Sequence, residues 1–394
     1  MTPHTAKGRS SLVVIFITVF IDLVGFGIVI PVLPLYAERF GASALTIGLL
    51  LGVYSAMQFL FAPLLGKLSD RIGRRPVLLV SIIGTSLGFL LMGCAHTLWL
   101  LFVARIIDGI TGGNISTAQA YIADVTPPEQ RSRGMGLIGA AFGLGFIFGP
   151  AIGGLLSHFS LSAPFLFAAG LAACNATALY FFLPESLTAE HRREAHRDTS
   201  ITEVFREAKG SSLPVVLATY FFTTVAFSLL TATYALFTEK RFGLSPTHIG
   251  YIFAGQGVVG AIIQGGFMGW LVRIFKDKTL TLMGTVVLAA GLFLLPMSAT
   301  LATLLIATAG IAIGHSLTAA PLNGLASKDV HASSQGRVLG LMQASASLAR
   351  MVGPVLGGAL LHYDALSLTA SFGRTPYWVG GGIMMIAVLC AAAL

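Results

Sequence analysis

The chain has 394 residues, of which 55% are hydrophobic and only 10% are charged, and its mean hydropathy is +0.84. This composition excludes a soluble globular protein, because too few polar residues remain to cover a water-facing surface. The apolar residues fall in runs of about 20, the length at which a helix crosses a hydrocarbon layer of about 30 Å. The sequence therefore predicts an all-α polytopic membrane protein.

Twelve apolar runs bounded by charged or turn residues are predicted to be transmembrane helices. The first follows Lys7 and Arg9 in the manner of a signal sequence, but its length and its internal Asp22 and Pro31 predict a retained span. The last ends at Leu394 without a polar tail, so a further cytoplasmic extension is expected. In chain order the runs are 12–35, 46–65, 76–95, 98–120, 134–156, 164–183, 213–236, 249–271, 279–298, 301–323, 338–361 and 377–394.

The two sides of the predicted membrane protein differ in their content of Lys and Arg. With a cytoplasmic N-terminus, only four of the 24 lie on the far side: Arg39, Lys240, Arg241 and Arg374. Short loops rich in Lys and Arg stay in the cytoplasm, so we expect a multi-pass protein of the plasma (inner) membrane with its N-terminus in the cytoplasm. The formal net charge of +8 then reflects topology, and no nucleic acid is expected as a partner.

A polar segment of mixed charge divides the twelve runs into six and six. It predicts an N-terminal six-helix bundle at 1–183, a cytoplasmic linker at 184–212 and a C-terminal six-helix bundle at 213–394. A surface helix is expected within the linker, and a regulatory role for it is the alternative.

The two predicted bundles are related by an internal repeat. The segment GPAIGG at 149–154 returns 204 residues later as GPVLGG at 353–358, and the Ile-Gly pair at 47–48 returns 202 residues later at 249–250. Because each half has an even number of spans, both copies have the same orientation, as in parallel repeats about an axis along the membrane normal. The repeat predicts two pseudo-symmetric bundles with a central cavity near the membrane midplane.

The segment 66–76, GKLSDRIGRRP, connects the second and third runs. Its spacing of glycine, aspartate and arginine resembles the signature of the major facilitator superfamily. The DLVGFG sequence beginning at Asp22 and the Gly-Pro helix of run five resemble the twelve-span drug:proton antiporters, and the similarity to tetracycline efflux proteins covers most of the N-terminal half. The resemblance implies proton-coupled export of a drug. Two departures are that Gly88 stands where those exporters have an aspartate, and that Asp108 is an additional acid.

Asp22 and Asp108 are the two carboxylates that lie deep within predicted spans. Each is about 15 Å from a span end at 1.5 Å per residue, a depth at which an ionised side chain is costly unless it is paired or hydrated. We expect Asp22 to couple transport to protons or to bind substrate. Two interpretations of Asp108 remain open. It takes part in proton coupling with Arg105, or it forms a permanent ion pair with Arg105 on the same helical face.

Two segments have a mechanical interpretation. The 66–75 loop is predicted to form a cytoplasmic latch, although its arginines alone are also explained by topology; the latch residues are Gly66, Asp70, Arg71, Gly73 and Arg74. Run five combines small residues with a proline that removes a backbone hydrogen bond, which predicts a hinge helix with ordinary close packing as the alternative; the hinge residues are Gly149, Pro150 and Gly153.

Polar side chains within the spans are candidate substrate contacts. The alternative for each amide is hydrogen bonding between helices, and for His315 it is a packing role. Arg350 requires an anion, which is expected to be Asp22, Asp108 or a group of the substrate. The candidates are Gln58, Asn114, Gln119, Gln256, His315, Asn323, Gln343 and Arg350.

Taken together, these features predict a secondary transporter that exports a hydrophobic or amphipathic drug, tetracycline-like or multidrug, in exchange for protons by alternating access. The alternative is a proton-coupled transporter of an organic anion or metabolite, by export or uptake symport. The sequence has no nucleotide-binding loop, no metal-ligand spacing and no convincing catalytic group, so we expect no enzyme activity, metal or cofactor. The expected partners are a small-molecule substrate, protons and the lipid bilayer, and the expected state is a monomer.

Overall fold

The computed structural model describes residues 3–126, 131–187, 212–328, 335–367 and 372–394. Within these ranges the chain forms thirteen α-helices and no β-strand. The helices are α1 (Pro3–Glu38), α2 (Ala44–Ile72), α3 (Arg74–Gly93), α4 (Leu98–Thr111), α5 (Asn114–Val125), α6 (Arg131–Leu156), α7 (Ala163–Phe182), α8 (Leu213–Phe242), α9 (Pro246–Ala261), α10 (Met268–Leu294), α11 (Leu301–Lys328), α12 (Gln335–Leu366) and α13 (Arg374–Ala392).

Eleven helical segments in the described ranges are long and apolar enough to cross a membrane. One of them, Pro246–Met297, has 52 residues, which is about 78 Å of helix and more than twice the thickness of a bilayer core. It contains a π-helical turn at Ile262–Phe267 and a non-helical residue, Lys276, with φ 58° and ψ 160°. We therefore count this segment as two spans, and the predicted twelve-span all-α fold is confirmed.

The helices differ from the predicted runs mainly at their ends. α2 continues to Ile72, so most of the segment predicted as a loop is helical and only Gly73 separates α2 from α3. Run four is broken between α4 and α5 at Gly112 and Gly113, since consecutive glycines disfavour helix. The predicted linker lies largely outside the described residues.

The chain divides into two compact units. The first comprises Met1–Gly41, Val53–Arg197 and Pro246–Ala254, and the second comprises Ala42–Gly52, Asp198–Ser245 and Gly255–Leu394. In the first unit α1 packs against α6 and α3 packs against α7; in the second α8 packs against α12 and α10 packs against α13. These helices occupy the same order in the two sets of six predicted spans, so the packing of the first unit is repeated in the second. The predicted bundle boundaries at residues 183 and 213 remain a prediction.

The repeated sequence motifs form the same close helix crossing once in each unit. In the second unit, a Cβ placed on Gly48 would lie 3.1 Å from Gly358 Cα. In the first unit, a Cβ placed on Gly250 would lie 2.9 Å from Gly154 Cα. Both crossings require glycine because the two backbones approach each other directly.

Candidate functional site

Asp22 lies on α1 in the first unit, with a side chain that is only partly buried. α1 is held in place around it by close packing. A Cβ on Gly145 would lie 2.6 Å from Leu23 Cβ, and a Cβ on Gly25 would lie 2.7 Å from the Phe89 ring. These contacts fix the position of the α1 backbone on both sides of Asp22.

The polar neighbours that act electrostatically on the Asp22 carboxyl are Asn114 and Asp108. Asn114 begins α5 just after the break in run four, and its amide atoms are buried without a hydrogen bond of standard geometry to any described group. Among the described residues, no Lys or Arg nitrogen lies within 4.0 Å of the Asp22 carboxylate. The carboxyl of Asp22 is therefore the one deep acid of this unit without an ionic partner in that part of the chain.

Asp108 is paired. Arg105 Nη1 lies 3.0 Å from Asp108 Oδ2, and the two side chains are only 2% and 5% exposed. The guanidinium carbon of Arg105 lies 4.2 Å from the centre of the Tyr54 ring, a cation–π contact. The ion pair that the sequence left as one of two alternatives is thus present.

Gly88 makes room for Asp108 where α3 packs on α4. A Cβ on Gly88 would lie 2.9 Å from Asp108 Cβ and 3.2 Å from the Ala104 carbonyl oxygen. Thr85, one turn before Gly88, is a further polar neighbour of the Asp108 carboxyl. The two departures from the exporters' pattern, the missing acid at 88 and the added acid at 108, therefore occupy facing positions.

The remaining candidates in the first unit have different surroundings. Gln58 is buried, and its Nε2 donates a hydrogen bond to the Gly112 carbonyl oxygen at 2.7 Å, so this amide joins α2 to the break between α4 and α5. Gln119 is partly buried on α5. Asn114 is thus the candidate amide that the structure brings next to Asp22.

In the second unit the His315 ring stacks on Phe227, with centroids 3.9 Å apart and planes 10° from parallel. His315 Nδ1 and Gln256 Nε2 are buried without a hydrogen-bond partner among the described groups. Arg350 Nη2 donates a hydrogen bond to Ser347 Oγ at 3.2 Å.

The two remaining candidates in the second unit are Asn323 and Gln343. Asn323 is exposed and its Nδ2 donates to the Ala319 carbonyl oxygen of its own helix at 3.0 Å. Gln343 is partly buried on α12.

The predicted latch is a compact cluster around Arg74. Arg74 forms an ion pair with Asp70, and its Nε lies 3.2 Å from Asp124 Oδ2. Gly73 has a φ of 115°, a conformation that favours glycine. Arg71 is exposed at the end of α2. Gly66 lies within α2 with open space where a Cβ would be, so no backbone approaches closely there.

Glu185 completes this cluster, and sequence reasoning gave it no role. Its carboxylate accepts hydrogen bonds from the backbone N–H groups of Arg74 at 2.9 Å and Arg75 at 3.2 Å, which caps the start of α3. Ser186 Oγ donates to Asp124 Oδ2 at 3.0 Å. These hydrogen bonds connect the segment that follows α7 to the latch residues. The sequence feature that could have indicated this capping role is an acidic residue directly after Pro184, at the end of a predicted span.

The predicted hinge residues fit α6 closely against α1. A Cβ on Gly149 would lie 2.7 Å from Gly27 Cα, and a Cβ on Gly153 would lie 3.1 Å from Ile28 Cα. Pro150 lies inside α6 between these two glycines. The close packing is thus present, and the role of these residues as a hinge remains a prediction. No group of three or more His, Cys, Asp or Glu in the described ranges is arranged to hold a metal ion.

Comparison with known proteins identifies the family. A sequence model described as Major Facilitator Superfamily matches residues 15–354 and 216–394. The chain belongs to the major facilitator superfamily. It is therefore a polytopic membrane transporter, and the resemblance noted in the 66–76 segment is confirmed.

Relatives cover nearly the whole chain. The class C tetracycline resistance protein of Escherichia coli is 36% identical over 394 residues, which is 98% of this chain and 97% of that protein. Multidrug resistance protein 2 of Bacillus subtilis (strain 168) is 28% identical over 386 residues, with 96% and 95% coverage. The crystal structure of the human organic anion transporter MFSD10 (TETRAN) superposes with a TM-score of 0.74 at 25% identity, covering 99% of this chain and 100% of that one.

Proposed function

We propose that this protein exports a hydrophobic or amphipathic drug-like compound in exchange for protons, by alternating access, from the cytoplasm across the plasma (inner) membrane. The observation that carries the proposal is the contrast between the two deep acids. Asp22 is partly accessible with no Lys or Arg within 4.0 Å among the described residues, whereas Asp108 is buried against Arg105. A titrating group must exchange its proton with water, and Asp22 is the acid placed to do so.

In this proposal Asp22 carries the proton and Asp108 does not. The Arg105 guanidinium balances the charge of Asp108 at 3.0 Å, so the pair contributes no net charge when Asp22 is protonated. Release of the proton leaves one negative charge on Asp22 that no Lys or Arg within 4.0 Å balances among the described residues. Further hydration of Asp22 or a new partner would stabilise that charge, which links protonation to the packing of the helices.

Two further observations support a drug-like substrate. The names of the relatives refer to tetracycline and multidrug resistance. The second unit offers a flat aromatic stack of His315 on Phe227, and His315 Nδ1 is buried without a hydrogen-bond partner in the described ranges. A ligand with an aromatic plane and a few polar groups matches such a surface.

The experiment is uphill transport in everted membrane vesicles, with tetracycline as the first probe in a panel of drugs. An acid interior should drive accumulation in wild-type vesicles, and nigericin should abolish it by collapsing the pH difference. Asp22→Asn should lose accumulation but keep exchange of labelled for unlabelled tetracycline, which needs no net proton movement. Glu239→Gln removes an acid near the end of α8 and is the matched control. Accumulation that survives in Asp22→Asn would overturn the proposed role of Asp22.

A second candidate substrate class is an organic anion, held by Arg350. It is favoured by the placement of Arg350 next to Ser347 and Tyr220 in the second unit and by the similarity to a human organic anion transporter. In this alternative Arg350 is the deep cation that contacts the substrate, and Arg105 remains paired with Asp108. Arg350→Gln should then abolish transport of anionic probes and leave transport of a cationic drug in place.

A further inference from the structure

A groove runs along the outer face of the first unit between α3 and α7. It has a volume of about 460 Å³ and is lined by side chains from Leu79 to Leu90 on α3 and from Ala173 to Tyr180 on α7. On the α7 side the groove is lined by the small side chains of Ala173 and Ala176. This groove is independent of the acids discussed above.

The length of the groove matches one leaflet of a bilayer. Leu90 lies eleven positions after Leu79, which is about 16.5 Å of helix at 1.5 Å per residue. Half of a hydrocarbon core of about 30 Å is about 15 Å. The groove is therefore long enough for one acyl chain of a single leaflet, with the headgroup at the end formed by Leu79 and Tyr180.

The hydroxyl protons of the two polar side chains inside the groove are already donated to backbone carbonyl groups. Ser86 Oγ donates to the Ala169 carbonyl oxygen at 2.9 Å, and Thr177 Oγ1 donates to the Ala173 carbonyl oxygen at 2.9 Å. The other lining side chains are apolar apart from the Tyr180 hydroxyl at the end. A space of this kind is filled by hydrocarbon and not by ordered water.

A cation stands at one end of the groove. Arg75 lies one helical turn before Leu79, on the same face of α3. Its guanidinium carbon is 5.5 Å from the centre of the Tyr180 ring, and its Nη2 donates to the Tyr180 carbonyl oxygen. Arg75 Nε is buried without a hydrogen-bond partner in the described part of the chain. Among the described residues, no carboxylate oxygen lies within 4.0 Å of the Arg75 guanidinium.

The aromatic residues at this end mark the membrane interface. Tyr180, Phe181 and Phe182 are all exposed, and aromatic side chains collect at the level of the headgroups. The nearby acid, Glu185, is engaged by the backbone N–H groups of Arg74 and Arg75. Arg75 is thus placed at headgroup level, directly above an acyl-sized groove.

We propose that this groove binds one acyl chain of an anionic phospholipid whose phosphate contacts Arg75. The charge at the groove end selects a negative headgroup, and the Lys and Arg distribution of the chain assigns this end to the cytoplasmic leaflet. The proposal does not depend on the proposed transport function.

A second groove on the other side of α7 provides an internal comparison. It has a similar volume of about 400 Å³ and is lined by Ala173, Cys174, Thr177, Ala178, Phe181 and Phe182, with no basic residue among them. Ala173 belongs to both grooves, whereas Ala178 belongs to the second alone. A bulky residue at position 173 should therefore obstruct both grooves, whereas one at position 178 should obstruct only the second groove.

The test is lipid binding to the delipidated full-length protein in mild detergent, measured by native mass spectrometry. Phosphatidylglycerol and phosphatidylcholine with identical acyl chains are titrated separately. Wild type should prefer phosphatidylglycerol by about fivefold, since one basic side chain near an anionic surface contributes about 1 kcal/mol. Arg75→Gln should remove that preference, and Arg273→Gln, an exposed arginine on α10, should keep it.

The groove itself is tested with bulky substitutions. Ala173→Phe should lose the bound phosphatidylglycerol, and Ala178→Phe should retain it. Circular dichroism of each variant establishes that it is folded. Equal binding of both lipids to wild type, equal loss in Arg75→Gln and Arg273→Gln, or full binding by folded Ala173→Phe would each overturn the proposal.

Discussion

Arg105 donates a hydrogen bond to Asp108 at 3.0 Å across one turn of α4. Both side chains are almost completely buried, and the Tyr54 ring covers the guanidinium. Asp22 lies nearby in electrostatic range of Asp108 but has no such cation within 4.0 Å among the described residues. Of the two deep acids in the first unit, Asp108 is therefore in an ion pair and Asp22 has no ionic partner among the described residues, so the two should respond differently to the same substitution.

Asp108→Asn should lower the free energy of unfolding by about 3 kcal/mol, because removal of one partner leaves Arg105 buried and uncompensated. Asp22→Asn makes the same chemical change at the acid without an ionic partner and is the matched control. Its thermal midpoint in detergent should equal or exceed that of wild type. Equal destabilisation by the two variants would contradict the distinction between a paired and a single acid.

Gly250→Ala should destabilise the protein, because its new methyl group would meet Gly154 Cα at 2.9 Å; overpacking of this kind costs about 1–3 kcal/mol. Gly255→Ala on the same helix meets nothing within 4 Å and should be neutral or stabilising by about 0.5–1 kcal/mol, since alanine favours helix. Thermal unfolding compares the two. A Gly250→Ala protein as stable as Gly255→Ala would show that the crossing of α9 and α6 is looser than described.

Lys276→Gly should raise the thermal midpoint. Lys276 has φ 58° and ψ 160°, a region occupied almost only by glycine, in which other residues carry about 1–3 kcal/mol of strain. Its counterpart 203 residues earlier is Gly73, with φ 115° and ψ 157°. Arg273→Gly, at a helical position of α10, is the control and should lower the midpoint. A lower midpoint for Lys276→Gly would argue against the strained conformation.

Features that depend on composition and periodicity could be predicted from the sequence. The twelve spans follow from runs of about 20 apolar residues, and the i, i+3 spacing of Arg105 and Asp108 made their pairing one of two stated alternatives. The break at Gly112 was missed, since the apolar run continues through it. The apolar run does not predict the helical end of α2, because the charged residues before Gly73 lie outside the run and a helix can extend beyond the hydrocarbon layer.

Interactions between distant parts of the chain could not be predicted. Glu185 caps α3 across 111 residues of sequence, and Phe227 stacks on His315 between α8 and α11. The repeat indicated that Gly48 and Gly250 are equivalent, but the identity of their partners, Gly358 and Gly154, depends on how the helices cross. Neither spacing nor residue type contains that information.

The central claim is that Asp22 carries the coupled proton. Its most direct measurement is the release of protons into weakly buffered detergent solution when tetracycline binds to the purified protein. Wild type should release protons in proportion to bound tetracycline, and Asp22→Asn should bind tetracycline without releasing any. Proton release from Asp22→Asn equal to that of wild type would contradict the claim.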